Sequence, residues 1–342
     1  MLMDKENHVI KISKIPNSHL LILGKSGEGK TYFCCRKIEE DLQEGKNVLI
    51  FDYSSSYSLP ELRKCKFRYI ESVKIFNPLE KRTDFIFGME KLKSALVDSF
   101  VNTLRIQSYY QKKLLREAIF RVVDSTDFLT IPALIECLEE MLDQVISSES
   151  EKNIGHLLTR LGPYSEIDTI RIMAAGLVCD VEEKAHATII QLSEFSELQR
   201  KFFAEFLAEM FWREVRSRHG KTNIVLFDEF QNMQITPGSA LSSMLREGRK
   251  FGLGVYLASQ FFGNYNREAV DTLMQASNIF FFKPVQREVK FIASLIDPDQ
   301  VSEWRTILQN LQVGEAVLKG RYCINGNVKE SETPIICKVE SV

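Results

Sequence analysis

One octapeptide constrains the fold more tightly than anything else in the chain: Gly24-Lys25-Ser26-Gly27-Glu28-Gly29-Lys30-Thr31. Before it runs Leu20-Leu21-Ile22-Leu23, wholly apolar and short enough to be a buried strand. After it, residues 31 to about 44 read as a helix closed by Gly45. Asn47-Val48-Leu49-Ile50-Phe51-Asp52 is then a second buried strand. Strand, glycine loop, helix and strand make a βαβ unit, which calls for a parallel sheet with helices on its faces. The glycines let successive backbone N–H groups converge on one point, and the helix start adds the positive end of its dipole. Such a point suits phosphate oxygens. The spacing G-x-x-x-x-G-K-[ST] adds a lysine for the β and γ phosphates and a hydroxyl for a metal ion. Gly24, Lys25, Ser26, Gly27, Glu28, Gly29, Lys30 and Thr31 are therefore expected around a bound nucleotide, with ATP and Mg²⁺ as cofactors.

Hydrolysis at such a loop needs a carboxylate at the end of a neighbouring buried strand. Two candidates exist: Asp52, followed by Tyr53, and Asp228, which follows Ile224-Val225-Leu226-Phe227 and is succeeded by Glu229. The second is the better candidate because it supplies two groups, Asp228 for the metal with Thr31 and Glu229 to orient the attacking water. The strand Gly254-Val255-Tyr256-Leu257-Ala258 ends in Ser259-Gln260, and Gln260 is the expected contact to the γ-phosphate.

Between residues 89 and 176 the character changes. Leu92, Leu96, Phe100 and Leu104, then Leu114, Ile119 and Val123, recur at helical spacing, and Thr130 caps a further segment with Pro132 near its start. The expectation is an α/β, RecA-like P-loop NTPase with a mostly parallel sheet of about six strands. Residues 1–88 and 177–342 form its two parts, and 89–176 an all-helical insertion. Residues 197–218 are expected as a helix packed on that sheet, and Gly314-Glu315-Ala316-Val317-Leu318 as a final strand or hairpin. Tyr109-Tyr110-Gln111-Lys112-Lys113 joins aromatic and basic groups as a DNA-contacting surface does; the plainer reading is a solvated helix face with one buried tyrosine.

No apolar run is long enough to cross a bilayer, and the first residues lack the pattern of a signal peptide, so a cytoplasmic protein without a membrane partner is expected. The seven cysteines and five histidines show neither CxxC nor metal-ligand spacing and are read as structural. A net charge of −2 offers nucleic acid no overall attraction, which leaves only a local basic patch for such a partner.

Three cations crowd into Leu245-Arg246-Glu247-Gly248-Arg249-Lys250-Phe251-Gly252. Alone, this is a solvated loop or a trans-acting arginine segment. Taken with Gly24–Thr31, Phe227-Asp228-Glu229 and Ala258-Ser259-Gln260, the chain resembles the HerA/FtsK superfamily, its HerA branch above all. Asp52 with Tyr57-Ser58 and Gly314-Glu315-Ala316 resemble further family segments. The resemblance implies a hexameric homo-oligomer, ATP hydrolysis between subunits, double-stranded DNA in a central channel, and a nuclease or effector on a separate chain. It also implies Arg249 as the trans-acting arginine, with Arg246 second. Members usually begin with a β-barrel, whereas here only the first eighteen residues and His19 stand ahead of the strand that enters the glycine loop, so a chain without that barrel is expected. The competing expectation is a nucleotide-gated scaffold subunit of a phage-defence complex. A phosphotransferase lacks a visible acceptor site.

Overall fold

A computed structural model describes residues 2–76, 89–126, 129–144, 146–165, 184–217, 222–262, 265–325 and 331–339. The chain divides into two compact units: Met1–Ile75 with Glu182–Ile190 and Thr222–Val342, and Phe76–Val181 with Gln191–Lys221. Gly176, Cys179 and His219 lie outside the described residues.

The first unit is built on a sheet of twelve strands. In chain order they are β1 (Leu2–Met3), β2 (Val9–Ile12), β3 (Leu20–Leu23), β4 (Asn47–Asp52), β5 (Val73–Phe76), β6 (Ala187–Gln191), β7 (Thr222–Asp228), β8 (Gly254–Ser259), β9 (Asn278–Phe282), β10 (Glu315–Gly320), β11 (Tyr322–Ile324) and β12 (Ile335–Val339). Their order across the sheet is β11-β2-β1-β12-β10-β9-β3-β8-β7-β4-β6-β5. At the centre β3 pairs in parallel with β8 and β9, and β7 in parallel with β8 and β4. These strands are continuous apolar runs, buried on both faces. Beyond β9 the pairing becomes antiparallel, through β10, β12, β1, β2 and β11. The expected six or so strands omitted most of this flank. Its strands are short and half-exposed; alternation at residues 8–13 marks β2, but the pairing of the two chain ends with each other is set by no local period.

The helices, in chain order, are α1 (Lys30–Gln43), α2 (Leu59–Lys64), α3 (Met89–Thr103), α4 (Tyr109–Thr126), α5 (Ile131–Asp143), α6 (Ser148–Leu161), α7 (Glu197–Arg216), α8 (Ala240–Glu247), α9 (Arg267–Leu273), α10 (Val289–Ile296) and α11 (Val301–Asn310). On α1, Phe33 is buried against Phe280 and Phe282 of β9, with ring centroids 4.4 and 5.9 Å apart. Each such ring removed from water stabilises by roughly 2–3 kcal/mol. Asp41 of α1 is also buried, and accepts from the Tyr256 hydroxyl of β8 at 2.6 Å and from Lys46 at 2.7 Å.

The second unit comprises α3 to α7. Thr130 caps α5 by accepting from the Ala133 N–H at 3.1 Å, with Pro132 in the first turn. Helix α7 differs from expectation: it groups with the helices rather than the sheet, and its Phe202 and Phe206 pack on Phe100 of α3 at 6.0 and 5.1 Å. Its buried face is matched to another helix, a distinction that helical spacing alone does not carry. Tyr109 and Tyr110 also depart from expectation, since both are exposed. Among the described residues no helix is long and apolar enough to cross a membrane.

Candidate nucleotide site

The glycine loop leaves the C-terminal end of β3 with its backbone tied to both neighbouring strands. Gly24 N–H donates to Ser259 O at 3.2 Å and Lys25 N–H to Lys283 O at 2.9 Å. A side chain at Gly24 would meet Phe282 Cβ at 2.5 Å, so glycine is required by close approach. Gly29, at φ 103°, leads into α1, and Glu28 O accepts from Gly314 N–H at 3.0 Å. Lys30 Nζ donates back to Lys25 O at 2.9 Å, which holds the ammonium over the loop. Burial lowers the Lys30 pKa, against the opposing pull of Glu229, Asp228 and Glu28.

A cavity of about 440 Å³ opens above this loop. Ser26, Gly27, Gly29, Lys30 and Thr31 line it from one side, with Asp228, Glu229 and Gln260 facing them. Parallel β3, β8 and β7 bring the three segments together, because all three strands end at the same edge. Gly24, Lys25 and Glu28 are not among the lining residues; Lys25 instead pairs with the buried Glu28 at 3.0 Å.

The two carboxylate candidates separate clearly. Asp52 is buried, and its oxygens accept from the backbone N–H groups of Ser56 (2.9 Å) and Tyr57 (3.1 Å), so it organises a turn. Asp228 lines the cavity and accepts from the Ser54 hydroxyl at 2.6 Å. Burial pushes both up, Asp52 to about 6 and Asp228 to about 7, with the neighbouring Glu229 and Asp52 charges adding to the latter. A buried carboxylate whose direct partner is one hydroxyl is short of positive charge. The oxygen donors Asp228 and Thr31 suit a hard cation such as Mg²⁺.

Glu229 adopts the left-handed conformation (φ 51°, ψ 46°), uncommon for a side-chain-bearing residue and frequent at functional sites. Two amides hold its carboxylate: Gln260 Nε2 donates to Oε1 and Gln231 Nε2 to Oε2, each at 2.7 Å. Gln231 is steadied in turn by the Ser259 hydroxyl, which donates to its Oε1. Ser54 and Gln231 were not singled out from sequence. Ser54 lies in a serine run without a distinctive pattern, and Gln231 follows the acidic pair at a spacing that has meaning only once the chain turns back.

The arginine segment is elsewhere. Arg249 precedes β8 whereas Gln260 follows it, so the two flank a six-residue strand about 20 Å long. Arg246 and Arg249 are exposed and absent from the cavity lining. Arg246 donates to Thr272 Oγ1 at 3.4 Å and stands 3.9 Å from Glu268. Beneath the turn, buried His19 accepts from the Val255 N–H through Nδ1 at 3.0 Å, and burial lowers it to about 4, so the imidazole is neutral. A side chain on Gly248 would lie 3.4 Å from His19 Cε1, so the histidine is packed against the arginine turn.

The family model described as Helicase HerA, central domain, matches residues 2–211. The chain belongs to the HerA family. The matched segment contains the glycine loop and ends within α7, before the acidic pair. The protein called Probable helicase MJ1565, of Methanocaldococcus jannaschii, is 24% identical to this HerA-family chain over 379 residues, which cover 99% of the chain and 66% of that protein. The chain spans two thirds or less of the length of the curated relatives it matches. Among solved structures, VirB4 of Thermoanaerobacter pseudethanolicus superposes with a TM-score of 0.69 at 16% identity, covering 99% of this chain and 95% of that one. The plasmid coupling protein TrwB, in complex with ADP and Mg²⁺, gives 0.61 at 15% identity, over 93% and 85%. These likenesses establish the RecA-like P-loop fold, with its mostly parallel central sheet.

Proposed function

We propose that the chain is an ATP-hydrolysing ring motor of the HerA/FtsK type that translocates double-stranded DNA. The observation that carries this reading is the meeting of Lys30, Thr31, Asp228, Glu229 and Gln260 around one cavity, with Arg249 a full strand length away. In this reading the glycine loop and Lys30 bind the β and γ phosphates. Thr31 and Asp228 hold Mg²⁺, which would neutralise charge on the phosphate oxygens. Glu229 orients the attacking water, and Gln260, already bonded to Glu229, links the water to the γ-phosphate. Because Arg249 cannot reach its own chain's cradle, it acts on a neighbour's, which calls for a homo-oligomer, a hexamer by family likeness. Arg246 is the second choice, since Thr272 and Glu268 engage it on its own chain. The names of relatives such as Probable helicase MJ1565 support DNA as the cargo. A nuclease or effector on a separate chain and a cytoplasmic site complete the proposal.

The test is ATP turnover with and without duplex DNA, with particle mass measured in the same samples. The motor reading expects DNA to raise turnover in a ring-sized particle. It also expects Glu229→Gln to lower turnover at least about a hundredfold while ATP still binds. If duplex DNA changes neither turnover nor assembly, the motor reading fails in favour of a nucleotide-gated scaffold.

A further inference from the structure

Helix α4 opens on a feature that the nucleotide site leaves unused. Tyr109 and Tyr110 occupy its first two positions, 75% and 55% exposed, with ring centroids 6.0 Å apart and planes at 78°. A tyrosine ordinarily hides its ring and wets only its hydroxyl. Two adjacent rings left in water on a firm support mark a contact surface. The support is firm here. At the end of α3, Arg105 N–H donates to Asn102 O (3.1 Å) and Ile106 N–H to Val101 O (2.9 Å), with Ile106 buried. Lys112 N–H donates to Ser108 O at 3.0 Å to start α4, and buried Gln111 meets His156 Nδ1 of α6 at 3.3 Å. Arg160 of α6 closes the arrangement by donating to the carbonyls of Leu104 and Arg105.

The charge around the rings has one sign. From Ser99 to Arg116 the chain contains no carboxylate and carries Arg105, Lys112, Lys113 and Arg116. The stretch of α6 that meets it, His156-Leu157-Leu158-Thr159-Arg160, contains none either. Among the described residues, Arg105, Lys112, Lys113 and Arg160 form no ion pair with a carboxylate. In a chain of net charge −2, this is a local surplus of cations without carboxylate partners beside two exposed rings.

We propose that this face of α4 binds single-stranded DNA. The cations take its phosphates, and Tyr109 and Tyr110 stack on unpaired bases. Inside a duplex the neighbouring pairs cover both faces of each base, so an exposed ring stacks only on a base at the end of the duplex or one that has left it. A protein partner of ordinary kind would call for an apolar collar around the rings, whereas their neighbours Gln107, Ser108, Lys112 and Lys113 are polar. This surface rests on the reading of the chain as a DNA motor, and adds a contact for a strand frayed from the duplex.

The experiment is fluorescence anisotropy with the full chain and labelled oligo-dT, with a labelled duplex of equal length as a separate arm. Tyr109→Ala with Tyr110→Ala lowers oligo-dT affinity by about tenfold or more, as the loss of base stacking requires. Tyr109→Phe with Tyr110→Phe keeps the affinity within about twofold, because the ring faces remain. Duplex affinity and basal ATP turnover stay unchanged in both. Arg105→Ala with Lys113→Ala reduces the slope of log affinity against log salt by about 1 to 2. The proposal is overturned if the unsubstituted chain does not bind oligo-dT, or if the double alanine variant binds it equally well; the latter outcome leaves the rings to a protein partner. Duplex-stimulated turnover, read in the same samples, reports on the motor separately. Absent stimulation with an intact tyrosine effect removes the motor reading and keeps this surface.

Discussion

Asp228 is protonated more readily in the fold than in the unfolded chain, since burial raises it from 3.8 to about 7. The native state therefore holds a proton between about pH 4 and 7 that the unfolded state has released. Stability from this group is fully present below the unfolded pKa and is lost as pH rises through about 7. With no metal or nucleotide added, Asp228→Asn should stabilise the chain at pH 8, by an amount on the order of 4 kcal/mol, and have little effect near pH 4. Urea unfolding at the two pH values measures it; equal effects at both would contradict the burial of an unpaired charge. Ser54, whose hydroxyl donates to Asp228, opposes the shift. At this scale the acid pair was legible from two adjacent carboxylates ending an apolar run. Ser54 and Gln231 were not, because a hydroxyl or an amide acquires a role only from its partner.

Helix α1 carries the cradle, and its tie to β8 keeps the loop and Gln260 in one frame. That tie is the Tyr256 hydroxyl on Asp41, both groups buried, with Lys46 on the other carboxylate oxygen. Tyr256→Phe leaves one oxygen of a buried carboxylate without its donor, which costs about 1–3 kcal/mol. The check is a lowered urea midpoint with an unchanged m-value. Nucleotide affinity should fall by less than turnover, since the phosphates contact the loop while hydrolysis needs loop and β8 in register. The central strands were readable because burial on both faces makes them continuous apolar runs. Of the antiparallel flank, β10 was readable, whereas β1, β11 and β12 were hidden: they are two, three and five residues long, and β12 pairs with β1 from the opposite end of the chain.

For the assembled molecule, the distance between Arg249 and its own cradle makes a sharp demand. Glu229→Gln and Arg249→Ala should each abolish turnover alone, one by removing the base and the other by removing the neighbour's cation. Mixed in equal amounts before assembly, they should regain activity, because an interface joining an intact Glu229 to an intact Arg249 forms at roughly a quarter of positions in a random ring. ATP turnover of the mixture against its parts measures this. A mixture no more active than either variant would mean that each site is completed within one chain.

The sequence by itself determined the glycine loop and pointed to its acidic candidates, because each is a short-range pattern: glycines at set spacing, a lysine and a hydroxyl in register, carboxylates at the end of a buried run. Only the tertiary structure gave Asp52 its own backbone partners in a turn and drew Ser54 to a carboxylate 174 residues away. It also clamped Glu229 between two amides and set Arg249 at the far end of β8 from the loop. Those outcomes follow from the order and direction of strands in the sheet, which long-range pairing sets and no local spacing encodes.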